Sequence, residues 1–167
     1  MDAEKIIRGK RVLIVDDEQD VLDSLVDFLD ICKVDKASSF EEAKALMEEN
    51  YYDIAVLDIM GVKGYDLLKV ANDRKIPALM LTAHALSSDN LKRSADEGAA
   101  FYAPKDEIDK IQIYIADVLD SIEKKKSPWL KVFERLSGFY DKRFNGPDWR
   151  EKEKQYWEEK LKQAHPF

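Results

Sequence analysis

Tyr52-Asp53-Ile54-Ala55-Val56-Leu57-Asp58-Ile59-Met60 decides how this chain is read. An unbroken apolar run, Ile54 to Leu57, ends at one carboxylate. A short apolar run bounded by polar residues reads as a buried strand, although pattern alone leaves a buried helix segment open. Gly61-Val62-Lys63-Gly64 follows, and then a helical pattern from about Gly64 carries Tyr65, Leu67, Leu68 and Ala71. Asp58 thus stands at the carboxyl end of a strand in a β-loop-α unit. In open α/β sheets that edge is where chemistry gathers. A single Asp there ordinarily caps the next helix, so the rest of the chain has to decide.

Outward from this stretch the same unit recurs. Arg11 to Val15 is a β-branched strand pattern ending in Asp16-Asp17, followed by an apolar stripe of Val21, Leu22, Leu25, Val26, Phe28 and Leu29 at helical spacing. Ile31 to Ala37 is a short strand pattern. Ser39-Phe40-Glu41-Glu42 is a capping box that opens a helix with Phe40, Ala43, Leu46 and Met47 on one face. Beyond Asp58, Ile76-Pro77 introduces a strand over Ala78 to Leu81, ending at Thr82; a polar helix over Ser88 to Glu97 stops at Gly98. Ala99 to Tyr102 reads as the fifth strand, and a helix from about Asp106 to Glu123 places Ile108, Ile111, Ile115, Val118, Leu119 and Ile122 on one face. Strands alternating with helices imply a parallel sheet covered on both faces. The expected fold is α/β, a flavodoxin-like doubly wound five-stranded (βα)5 sheet.

With 167 residues, the chain suits one domain and an appendage. Residues 1–10 read as a lead-in, 11–123 as the main domain and 124–167 as a helical extension. The net charge of -7 conceals a division: residues 1–123 carry -12 and residues 124–167 carry +5. There is no apolar run of spanning length and no secretory pattern at Met1-Asp2-Ala3-Glu4-Lys5, so no membrane insertion and a cytoplasmic location are expected. The single cysteine, Cys32, has no internal disulfide partner and reads as a small core side chain.

In a parallel sheet every strand's carboxyl end lies on one edge. Asp16, Asp17, Asp58, Thr82 and Lys105 therefore gather there, as three carboxylates, a hydroxyl and an amine. Crowded carboxylates raise one another's pKa unless a cation joins them. Oxygen ligands beside a phosphate-handling site suit Mg²⁺, and a carboxylate there can attack phosphorus.

With those residues in place, residues 11–123 resemble the receiver domain of two-component response regulators, the family of the chemotaxis regulator. Leu-Ile-Val-Asp16-Asp17-Glu18, Leu-Asp58-Ile-Met60, Leu81-Thr82-Ala83 and Gly98-Ala-Ala-Phe-Tyr102-Ala-Pro-Lys105 carry the resemblance in the family's order. It implies that Asp58 is the aspartate that accepts phosphate from a histidine kinase or phosphotransfer protein. It implies that Asp17, Asp58 and the backbone carbonyl of Met60 bind Mg²⁺, with Mn²⁺ as a substitute, and that Asp16 acts through water. Lys105 would contact the phosphate, Thr82 would swing toward it, Tyr102 would turn inward behind Thr82, and small Ala83 would admit it. Met60 and His84 hold positions that tune phosphate lifetime, although His84 reads equally well as an exposed loop residue. Two departures stand out: Met60-Gly61-Val62-Lys63-Gly64 is short and lacks a proline, and Asp106 replaces the proline that usually follows the lysine.

All three Trp and nine of the 17 aromatic residues fall in residues 124–167. Two helices are expected there, one from Trp129 and one after Asn145-Gly146-Pro147. The segment is too apolar for a disordered linker and too short to bury its aromatics alone. It can fold back on the receiver, form a homodimer or dock another protein; interleaved Glu residues disfavour nucleic acid. The whole reads as a signalling switch rather than a conventional enzyme. A phosphorylation-independent scaffold is the alternative within the fold. A haloacid-dehalogenase-type hydrolase would need a second Asp two positions after Asp58, where Met60 stands.

Overall fold

The computed structural model describes residues 1–83 and 86–167. Its sheet runs β1 (Arg11–Val15), β2 (Lys33–Ala37), β3 (Ile54–Asp58), β4 (Ala78–Thr82) and β5 (Phe101–Pro104), all parallel, in the order β2-β1-β3-β4-β5. All five residues of β3 and of β4 are buried, which is why their sequences are apolar without alternation. The expected doubly wound fold is the one observed.

The helices before the extension are α1 (Ala3–Ile7), α2 (Gln19–Phe28), α3 (Phe40–Glu49), α4 (Gly64–Asp73), α5 (Ser88–Asp96) and α6 (Ile111–Glu123). Right-handed crossovers assign their faces. The chain steps one way from β1 to β2 and the other way from β2 through β3 and β4 to β5, so α2 lies on one face and α3, α4 and α5 on the opposite one. α6 returns to pack on α2, and α1 packs on α6. The Ser39 hydroxyl accepts the Glu42 N–H at 3.2 Å, as the capping box requires, while the Glu42 carboxylate reaches back one residue further, to the N–H of Ser38.

Several boundaries differ from the sequence reading, β2 among them, which starts at Lys33 and not at Ile31. The lead-in contains a helix, α1, begun by Asp2, whose carboxylate accepts the Lys5 N–H, and anchored by fully buried Ile7. β5 starts two residues later than expected, because Ala99 closes the turn after α5 by donating its N–H to Ser94. The helix expected from Asp106 begins as a 3₁₀ segment, Lys105–Lys110, and becomes α-helical only at Ile111; Glu107 (φ -107°, ψ 21°) breaks the regular geometry. The second helix of the extension is interrupted at Glu153, giving α8 (Asp148–Lys152) and α9 (Lys154–Lys160) after α7 (Trp129–Arg143).

The extension folds back on its own receiver and joins its core. Trp129, Val132, Leu136, Tyr140, Trp149 and Trp157 are buried in one continuous cluster with the sheet. β5 is an edge strand, whose exposed backbone invites pairing, and α7 covers it. The Trp129 indole N–H donates to the Ala99 carbonyl at 3.0 Å, and the Tyr140 hydroxyl donates to the Tyr102 carbonyl at 2.6 Å. Phe133 stacks obliquely on Trp149 and Trp157, and the Ser127 hydroxyl ties the start of α7 to the Lys160 carbonyl at the end of α9. Arg135 forks onto Asp117 of α6, which is fully buried, and burial raises the Asp117 pKa while Arg135 opposes the rise. Basic α7 thus meets acidic α6, as the charge division suggests.

Candidate functional site

The sheet register assembles the site. Asp58 ends β3 opposite Leu81, and Thr82 ends β4 opposite Pro104, so Lys105 emerges from the same edge. Asp16 follows β1 directly, its N–H bonded to the Ala37 carbonyl. Asp16 and Thr82 are fully buried and Asp58 is 4% exposed. Asp17 and Ala83 are exposed at the rim, and so is Met60. Tyr102 is fully buried one layer behind, with its hydroxyl accepting the Ser87 N–H at 3.3 Å. His84 lies outside the described residues.

Lys105 is the hub. Its Nζ lies 2.8 Å from Asp16 Oδ2, 3.1 Å from Glu18 Oε1 and 3.2 Å from Asp58 Oδ1. Burial works against the ammonium, but hydrogen bonds to Asp16 and Glu18 and the charge of Asp58 outweigh it, and the Lys105 pKa is raised. One cation does not satisfy three acids. Burial, with the Asp16 charge adding to it, pushes Asp58 up to about 6 despite Lys105. Burial also raises Asp16, with Lys105 at its Oδ2 opposing the rise.

This donor set fits a hard divalent cation. Oxygens of Asp16, Asp17 and Glu18 lie within 4.8 Å of one another, and all are carboxylates. Two glycines let the loop after Asp58 pack tightly against this edge. A Cβ at Gly61 (φ +58°) would collide with the Asp17 carboxylate, so only glycine lets the loop lie against it. A Cβ at Gly64 would collide with the Asp58 carbonyl, so glycine is needed for α4 to start directly beneath β3. Lys63 absorbs the tight turn with a left-handed backbone (φ +54°). The Met60 carbonyl accepts the Val62 N–H and retains a second lone pair for another partner.

Glu18, Gly61 and Gly64 are site residues that reasoning from strand ends passes over. The acidic run Asp16-Asp17-Glu18 and the paired glycines after Asp58 were their signals.

The fold and this edge define a class: a doubly wound α/β protein with a carboxylate–lysine centre at the carboxyl ends of its strands. The chain belongs to the response regulator receiver domain family, whose model matches residues 12–116, more than half of it. The heme response regulator HssR of Staphylococcus aureus (strain Newman) is 38% identical over 98 residues, which are 56% of this chain and 43% of that protein. The chain spans less than half the length of such curated relatives. Among solved structures, the CheY-like receiver domain protein of Methanospirillum hungatei JF-1 is 29% identical, with a TM-score of 0.57 over 67% of this chain and 98% of its own. A response regulator of Chloroflexus aurantiacus J-10-fl is also 29% identical, with a TM-score of 0.60 over 68% of this chain and 99% of its own. Residues 12–116 are therefore a receiver domain of two-component signalling. No helix among the described residues is long and apolar enough to cross a membrane.

Proposed function

We propose that Asp58 accepts a phosphoryl group from the phosphohistidine of a histidine kinase or phosphotransfer protein, and that the protein signals by the resulting change in its contacts. The observation that carries this reading is the placement of Asp58. It is a buried carboxylate at a strand end, with Lys105 Nζ at 3.2 Å and its pKa raised by burial to about 6. A carboxylate oxygen of Asp58 attacks phosphorus in line, the P–N bond breaks, and the imidazole takes back the electron pair. Hydrolysis reverses the loading: water attacks phosphorus, the Asp58 carboxylate leaves, and inorganic phosphate carries the proton away. The chemistry is self-phosphorylation and self-dephosphorylation rather than turnover of free substrates.

The chain's own groups divide the work. The Lys105 ammonium supplies a fixed positive charge to the incoming phosphoryl oxygens. The Thr82 hydroxyl, at the end of the neighbouring strand, donates to them. Ala83 leaves the entrance open, and Met60 at the rim limits access of water to the acyl phosphate. Tyr102 fills the space behind Thr82. Asp17, Asp58 and the Met60 carbonyl would hold Mg²⁺, or Mn²⁺ in its place, with Asp16 acting through water; the ion supplies charge neutralisation for the transferred group.

Incubating the full chain with acetyl phosphate and Mg²⁺ and recording intact mass tests the reading. The expected result is one added phosphoryl group, absent without Mg²⁺ and absent in Asp58→Ala, with no sustained turnover of a generic phosphate ester. An unmodified wild-type mass, or equal labelling of Asp58→Ala, contradicts it.

A further inference from the structure

We infer that Tyr140 and Arg143 of α7 are positioning residues for Lys105: they grip the outer side of the segment from which that lysine reaches the acidic edge. The inference rests on the role given to Lys105 above. The two residues lie three apart on α7 and so share one face. Tyr140 is fully buried, its hydroxyl donates to the Tyr102 carbonyl at 2.6 Å, and its ring lies 5.8 Å from the Tyr102 ring. The Arg143 guanidinium pairs with the Asp106 carboxylate. The anchors thus fall three residues before Lys105 and one residue after it.

That segment continues β5, which pairs with β4, and packs against α6, while α7 holds its outer side. Lys105 opens the irregular 3₁₀ stretch, which has no side-chain cap and no buried residue. Yet its Nζ must stand within 3.2 Å of three carboxylates from two different strand ends. Reactions of this kind lose rate steeply when a reacting group is displaced by about 1 Å. Tyr140 carries most of the bracing, because its hydrogen bond is buried. The Arg143–Asp106 pair is half exposed and screened by solvent. The extension is then part of how the site is built, and not only a cover for the β5 edge.

The experiment uses the full chain and reads position and chemistry separately. Trace labelling of lysine amines with acetic anhydride, quantified by peptide mass spectrometry, reports how firmly Lys105 is held. Tyr140→Phe keeps the ring and removes the donor. It is expected to raise Lys105 labelling on the order of tenfold and leave Lys44 on distant α3 unchanged, with Arg143→Ala giving a smaller rise and Arg143→Lys returning to the wild-type value. Phosphorylation of Asp58 by acetyl phosphate with Mg²⁺ should slow in the same order. Unchanged Lys105 labelling in a folded Tyr140→Phe overturns the inference, as does an equal rise at Lys44. If Tyr140→Phe does not fold, Arg143→Ala against Arg143→Lys decides by the same criterion. A wild-type protein that takes no phosphate contradicts the proposed function instead, and the labelling result still stands or falls by itself.

Discussion

The acidic edge and the extension are built on opposite energetic terms. At the edge, Asp16 and Asp58 are both buried within reach of one lysine, and burial, with the Asp16 charge adding to it, pushes Asp58 up to about 6. In the extension, three Trp and Tyr140 are buried with hydrogen-bond partners at the Trp129 indole and the Tyr140 hydroxyl. One region gives up stability to hold a reactive group; the other supplies stability to the fold around it. Substitutions in the two should therefore move stability in opposite directions.

The largest effect belongs to the extension. Trp129→Ala removes a fully buried indole and its bond to Ala99, and should cost about 3–5 kcal/mol in urea unfolding. A loss under about 1 kcal/mol would mean the extension is not part of the core. Next, Arg135→Ala strands the fully buried Asp117 carboxylate and should cost about 3 kcal/mol. Asp117→Asn in that background should recover much of the loss.

The opposite sign is expected at the edge. Asp58→Asn removes one of the crowded charges and leaves Lys105 paired with Asp16 and Glu18. It should stabilise the cation-free protein at pH 7 by about 1–3 kcal/mol. The pH dependence fixes the sign. The folded pKa of Asp58 is about 6, above the unfolded value, so the folded state holds the proton longer as pH rises. Wild-type stability should therefore fall between about pH 4 and pH 6 relative to Asp58→Asn, then run parallel to it above. Mg²⁺ should raise the melting temperature of the wild type more than that of Asp58→Asn. A destabilised Asp58→Asn at pH 7 would break the contrast between the two regions.

The two regions also differ in how much of them a sequence reveals. The edge was legible because its information is local. β1, β3 and β4 end where an apolar run meets Asp16, Asp58 and Thr82, and a parallel sheet brings such ends together without further knowledge. The beginning of β5 was not legible, since Ala99 and Ala100 are equally compatible with a turn and a strand; the turn bond to Ser94 and the register with Leu79 decide it. α1 is five residues long, too short for helical periodicity, and only the burial of Ile7 against α6 justifies it. The Gly61 and Gly64 contacts are steric facts of a folded loop. In the extension, aromatic spacing announced helices and a need for cover, but not where they dock. That depends on which edge of the sheet is open, and the Tyr140–Tyr102 bond spans 38 residues of sequence.

The most direct test of the central claim is chemical identification of the acceptor. Borohydride reduces an acyl phosphate of aspartate to homoserine, whereas phosphoesters and unmodified carboxylates survive. After treatment of the full chain with acetyl phosphate and Mg²⁺, reduction and peptide sequencing should find homoserine at position 58 alone. Aspartate unchanged at position 58, or homoserine at Asp16 or Asp17 in its place, would contradict the account.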